Sequence, residues 1–157
     1  MTDFDKKLYE KEIILALQNK GVTNVMSNND VEHARILTRN LIRSATSEIV
    51  ILCHRLAWQV YGCDDIADAL REAYAKNPNL KCHVFIRNEV PDYTSFYAVL
   101  MAHGVRLVQG YESSLPDVLI VDRTNGREET NAEEKEGTAH FHDAAWAEDK
   151  VHKLLVA

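Results

Sequence analysis

Leu115-Pro116-Asp117-Val118-Leu119-Ile120-Val121-Asp122-Arg123 is an apolar run closed by a carboxylate. Its unbroken β-branched and leucine content suits a strand buried on both faces, the kind found inside a sheet covered by helices. Upstream, Glu48 to His54 is a second such run, and Lys81 to Arg87 a third. Between those two, Ile66, Ala69, Leu70, Ala73 and Tyr74 fall at helical spacing from an Asp64-Asp65 start to a stop at Asn77-Pro78, where the residue before proline avoids helical geometry. Strand, helix, strand is a βαβ unit.

Further out, Phe96, Tyr97, Leu100 and Met101 predict a helix begun at Asp92 or Thr94 and ended by Gly104, followed by a strand over 105–109. Downstream of the opening stretch, Thr124 to Gly137 is polar and rich in Glu, and Asn125-Gly126 is a tight-turn signal. The expectation there is a hairpin with a mobile acidic tip, then a short strand over 138–142 and a closing helix over 144–155. At the amino end, Leu8, Ile13, Ile14 and Leu17 predict an amphipathic helix over 3–18 capped by Asp3. A second helix, capped by Asn29 or Asp30, runs to about Ala45.

The chain has 157 residues, 46% of them hydrophobic, enough for one core of ordinary size. The expected division is an N-terminal helical segment, 1–45, and an α/β domain, 46–157, forming one structural unit. A formal charge of −6 disfavours a duplex-binding surface, which needs clustered Lys and Arg to displace counterions. Cys53, Cys63 and Cys82 form no CxxC pair, and MTDFDKKLYEKE has no apolar signal core, so a cytoplasmic location with reduced thiols is expected. No apolar run is long enough for a bilayer span.

From Ser44 onward the order of elements resembles one half of the phospholipase D superfamily. The resemblance rests on the buried strand, the helix opening at Asp64-Asp65, the segment Ala102-His103-Gly104-Val105-Arg106-Leu107 and the run Val118-Leu119-Ile120-Val121-Asp122. It is also similar to small bacterial proteins of that fold that lack the catalytic signature, in Ala139-His140-Phe141-His142-Asp143 running into a final helix. The resemblance implies a single phospholipase D-like domain, α/β, with a mixed, mostly parallel sheet flanked by helices and preceded by N-terminal helices.

Active members of that family carry H-x-K-x4-D. With Asp122 in the aspartate place, the histidine falls at Leu115 and the lysine at Asp117. An aliphatic group cannot attack phosphorus, and a carboxylate repels the phosphate a lysine would hold. The expectation is therefore no catalytic residues, no cofactor and no metal. Function is expected from protein–protein contacts of a binding or regulatory module, with a homodimer possible. Two alternatives stay open: an acidic inhibitor or immunity protein of a basic enzyme such as a nuclease, using the charge and the Glu128–Glu136 segment, and a nucleic-acid-binding regulator in which Arg55, Arg87, Arg106 and Arg123 converge.

Residues singled out for ligand or anion binding are His54, Arg55, Arg87, Asp122, Arg123, His140 and His142. Arg55 and Arg87 close two strands at the edge where open parallel sheets bind ligands, although pairing of each with a nearby carboxylate is the simpler use. His140 and His142 sit two apart on a strand and share a face; with His54 or Cys53 they make a conceivable metal set, against the plainer reading of polar strand ends. Asp122 is either a remnant of catalysis or a strand-end carboxylate that pairs with an arginine, Arg123 or Arg127 in sequence, or caps a turn. Trp58, Tyr61 and Trp146 are either an exposed contact surface or core.

Overall fold

The computed structural model describes residues 2–56 and 59–155; Trp58 lies outside them. The elements are α1 (Asp3–Gln18), β1 (Asn24–Asn28), α2 (Val31–Arg43), β2 (Glu48–Cys53), α3 (Asp64–Lys76), β3 (Lys81–Ile86), α4 (Ser95–Ala102), β4 (Leu107–Val108), β5 (Val118–Val121), β6 (Asn125–Asn131), β7 (Glu136–Phe141) and α5 (Ala144–Leu155). They form one α/β unit around a seven-stranded mixed sheet ordered β1-β7-β6-β5-β2-β3-β4.

Five strands run one way and β5 and β7 the other. Because the inverted strands are interleaved, only β2–β3 and β3–β4 are parallel neighbours; the other four pairs are antiparallel. The expectation of a mostly parallel sheet thus holds for strand direction and is corrected for strand pairing.

The apolar runs read as two-sided strands are two-sided: Ile49 to Cys53 and Val118 to Val121 are all buried. One face carries Ile49, Ile51, Val84, Ile86, Leu119, Val121, Ala139 and Phe141, packed beneath α1 to α4. The other carries Val50, Leu52, Phe85, Val118 and Ile120 beneath Ala147, Val151 and Leu154 of α5.

Three local expectations change. The residues between α1 and α2 contain strand β1, which pairs antiparallel with β7 from Asn24↔Phe141 to Asn28↔Gly137. In α1, Thr2 rather than Asp3 supplies the cap, in a reciprocal capping box with Asp5, and of the four apolar residues read as its inner stripe Leu8 and Ile14 are exposed while Tyr9, Ile13 and Ala16 are buried. The tight turn after β5 is not Asn125-Gly126, which lies in β6. Its central residues are Asp122 and Arg123, both left-handed at φ +54° and +55°, closed by Thr124 N–H to the Val121 carbonyl at 3.1 Å, the pattern of a type I′ turn.

Gly126 is needed for packing instead. A Cβ there would stand 2.2 Å from the Leu119 carbonyl oxygen and 2.7 Å from the Trp146 ring. Trp146 is half-buried against the α5-side core.

Candidate charge cluster at the upper sheet edge

Strand β5 has a carboxylate at each end, and the two lie in different surroundings. Asp117 lies at the upper edge, where β2 and β3 end. Asp122 lies at the lower edge, where they begin; five residues of extended chain separate the two by about 17 Å.

At the upper edge Arg87 donates from Nε to Asp117 Oδ1 at 2.9 Å and from Nη1 to the Ser113 carbonyl at 2.8 Å, and it also bonds the Leu115 carbonyl. His54 Nδ1 lies 2.9 Å from Asp117 Oδ2. The Asp117 side chain is 13% exposed and that of His54 is 56% exposed, so the imidazole forms the outer wall and the carboxylate the inner one.

Behind them, Arg127 and Glu129 project from the same face of β6. Arg127 donates from Nε to Asn28 Oδ1 at 2.7 Å and from Nη2 to the Lys135 carbonyl at 2.9 Å. The Glu129 carboxylate stands 3.7 Å from Arg127 and 3.5 Å from Lys135 Nζ. Gly137 permits this crossing of β7, since a Cβ there would lie 2.9 Å from Asn28 Oδ1 and 3.1 Å from Arg127 Nη2.

A cavity of about 50 Å³ is enclosed among Cys53, Tyr61, Asp117, Arg127, Glu129 and Lys135. Burial raises the Glu129 carboxyl above its ordinary range despite the opposing pull of Lys135 and Arg127. Burial likewise pushes the Cys53 thiol up to about 12, which leaves it an unreactive thiol at neutral pH, and raises Tyr61 well above a normal phenol.

Asp122 works differently. It accepts hydrogen bonds from the backbone N–H groups of Thr46 (2.9 Å), Ser47 (2.8 Å) and Glu48 (3.0 Å) and from the Thr46 and Ser47 hydroxyls at 3.0 and 2.9 Å. Burial alone would raise its carboxyl; the converging N–H groups outweigh it and hold the group below the usual range. Its neighbour Arg123 engages both carboxylate oxygens of Glu48, at 2.8 and 3.3 Å. An open groove of about 620 Å³ passes this corner, lined by Lys76, Lys81, Asp122 and Arg123 among others.

The residues singled out in the sequence therefore divide. His54, Arg55 and Arg87 are at the upper edge; Asp122, Arg123, His140 and His142 are at the lower. Arg55 faces Asp92 at 3.4 Å. His140 stacks on Trp146 with ring centroids 4.2 Å apart and reaches Asp143 at 3.3 Å. His142 Nε2 meets the Ala16 and Leu17 carbonyls at 2.9 and 3.0 Å, so that nitrogen carries the proton and ties the end of α1 to the sheet. Among the described residues no group of three His, Cys, Asp or Glu side chains is arranged to hold a metal. Arg106 precedes β4 at the lower edge, so the four arginines of the nucleic-acid reading do not share one surface.

Within the acidic segment, Glu128 pairs with Lys150 at 2.7 Å and Glu129 is internal. The sequence marks Arg127 only as a partner for Asp122, Glu129 and Lys135 only as part of the acidic 128–136 segment, and Asn28 not at all. The expected hairpin forms, β6 with β7, and the available signal is the Arg127, Glu129 alternation in its first strand rather than its acidic tip.

The solved structure of Nuc, a phospholipase D family member from Salmonella typhimurium, matches with a TM-score of 0.60 at 21% identity, over 83% of this chain and 91% of Nuc. The fold is phospholipase D-like. The chain also matches the solved structure of TrmBL2, described as an archaeal chromatin protein with a novel mode of DNA binding, at a TM-score of 0.60 and 13% identity, over 96% of this chain and 60% of that one. No family model and no curated protein matches the chain. Among the described residues no helix is long and apolar enough to cross a membrane.

Proposed function

We propose that this phospholipase D-like domain is a non-catalytic module that binds or regulates through protein–protein contacts in the cytoplasm. One observation carries the reading: Asp117, in the place the superfamily's motif gives to lysine, is the acceptor that neutralises Arg87 and engages His54. A phosphate entering there meets an anion, and the nearest cation is already committed to that anion and to two carbonyls. Leu115, in the histidine place, offers Arg87 its backbone carbonyl and has no polar side-chain atom.

Exposed apolar side chains on α1 supply a surface of the kind protein partners cover. A nucleic-acid-binding role is the second reading, favoured by the shared fold with TrmBL2 and opposed by the −6 charge and the division of the arginines between two edges. Inhibition of a basic enzyme is the third.

Titration with inorganic phosphate, followed through the His54 imidazole resonances, tests the carrying observation. No saturable shift is expected, and a saturable one would return the cluster to phosphate binding. Pull-down from the source organism separates the partner classes: a protein partner retained at moderate salt supports the reading. Nucleic acid in the eluate supports the second reading, and a basic enzyme lost steeply with salt supports the third.

A further inference from the structure

Helix α1 has two differently finished sides. On the side against α2, its charges are paired: Lys6 with Glu32 at 3.5 Å, and Glu10 with Arg39. On the outer side Phe4, Leu8 and Leu15 are 74%, 46% and 55% exposed. With Lys11 they follow steps of four, three and four residues, the spacing of a two-helix seam. Exposed Lys7 flanks that seam on one side and exposed Asp5 and Glu12 on the other, and neither Lys7 nor Glu12 has an ion-pair partner among the described residues.

We propose that this face docks a second copy of the chain, the two α1 helices lying parallel about a two-fold axis. The flanking charges select both occupant and direction. In a parallel pair, the residue flanking one side of the seam meets the residue five positions further along on the other side of the partner helix, so Lys7 meets Glu12 of the second copy, twice. In an antiparallel pair each flank meets the same flank of the partner, which sets Asp5 against Glu12 of the second copy, twice.

The helix is about 24 Å long, too short for a standard-size interface, so the association is weak. Lys11 at a seam position weakens it further and marks the register. This deepens the protein-binding reading by naming a partner, and rests on it only there. A chain that self-pairs but hydrolyses phosphodiesters would remove that reading and leave this one standing; a monomer that does not hydrolyse would do the reverse.

Sedimentation velocity on the full chain from about 5 to 500 µM tests the proposal. The wild type should shift from monomer toward dimer across that range, Lys11→Leu should tighten the dimer by about tenfold or more, and Leu15→Glu should abolish it. Lys7→Glu should weaken pairing, and the double exchange Lys7→Glu, Glu12→Lys should restore it. All of these positions are exposed, and circular dichroism of each variant confirms that the fold is kept. A monomer at the top concentration in both wild type and Lys11→Leu would overturn the proposal, as would a dimer indifferent to Leu15→Glu or a double exchange that fails to restore pairing.

Discussion

The two ends of β5 hold the same functional group and use it in opposite ways. Asp122 turns inward to the backbone and gathers N–H groups from the start of β2; Asp117 gathers the Arg87 guanidinium and the His54 imidazole at the strand ends where ligands of such sheets usually sit. The first arrangement leaves nothing free to react. The second builds a polar chamber with an exposed imidazole, but spends its charge internally. A carboxylate on a strand of this fold is therefore informative only with its donor partners in view.

The largest effect is expected at the lower edge. Asp122→Ala leaves three backbone N–H groups and two hydroxyls without their acceptor and removes the compensation for a left-handed turn, a loss of roughly 3 kcal/mol or more in urea unfolding. A loss under about 1 kcal/mol would show that the turn, not the carboxylate, organises this end.

At the upper edge Arg87→Met strips Asp117 of its main partner and leaves two carbonyls unsatisfied, for about 2–3 kcal/mol. Gly137→Ala forces Asn28 and Arg127 apart, for about 1–3 kcal/mol by overpacking. If neither variant loses stability, the cluster is not a structural unit.

pH separates the ends by sign. The Asp122 carboxyl is depressed below its ordinary value of 3.8, so its contribution is present above that pH and lost as pH falls through the lower folded value. The Glu129 carboxyl is raised above 4.5, so its contribution is present below that pH and lost as pH rises through the folded value. Asp122→Asn should therefore cost most at neutral pH and least in acid. Glu129→Gln should match the wild type in acid and gain relative to it above the raised value, the smallest of these effects. Denaturant midpoints between pH 3 and 8 read both, and parallel profiles for the two variants would contradict the assignment.

How much of this was legible follows from what each residue answers to. The runs at 49–53 and 118–121 and the helical spacing of Ile66, Leu70 and Ala73 depend on burial alone, and pattern reveals burial. Strand β1 shows no such pattern because it is an edge strand, with Val25 exposed and only Asn28 fully buried. Asn125-Gly126 resembles a turn because glycine serves two needs: here it admits the Trp146 ring, while Asp122 and Arg123 take the left-handed positions. The upper cluster joins residues from β1, β2, β3, β6 and the turn before β7 across large sequence separations, so no local spacing announces Asn28 with Arg127 or Arg87 with Asp117.

The most direct test of the central claim is hydrolysis of a generic phosphodiester, bis(p-nitrophenyl) phosphate, by the purified wild type beside His54→Gln, which removes the exposed imidazole of the upper cluster. Rates indistinguishable from the buffer blank in both are the predicted result. Turnover by the wild type that disappears in His54→Gln would contradict the account, because the chamber around Asp117 would then be a working active site.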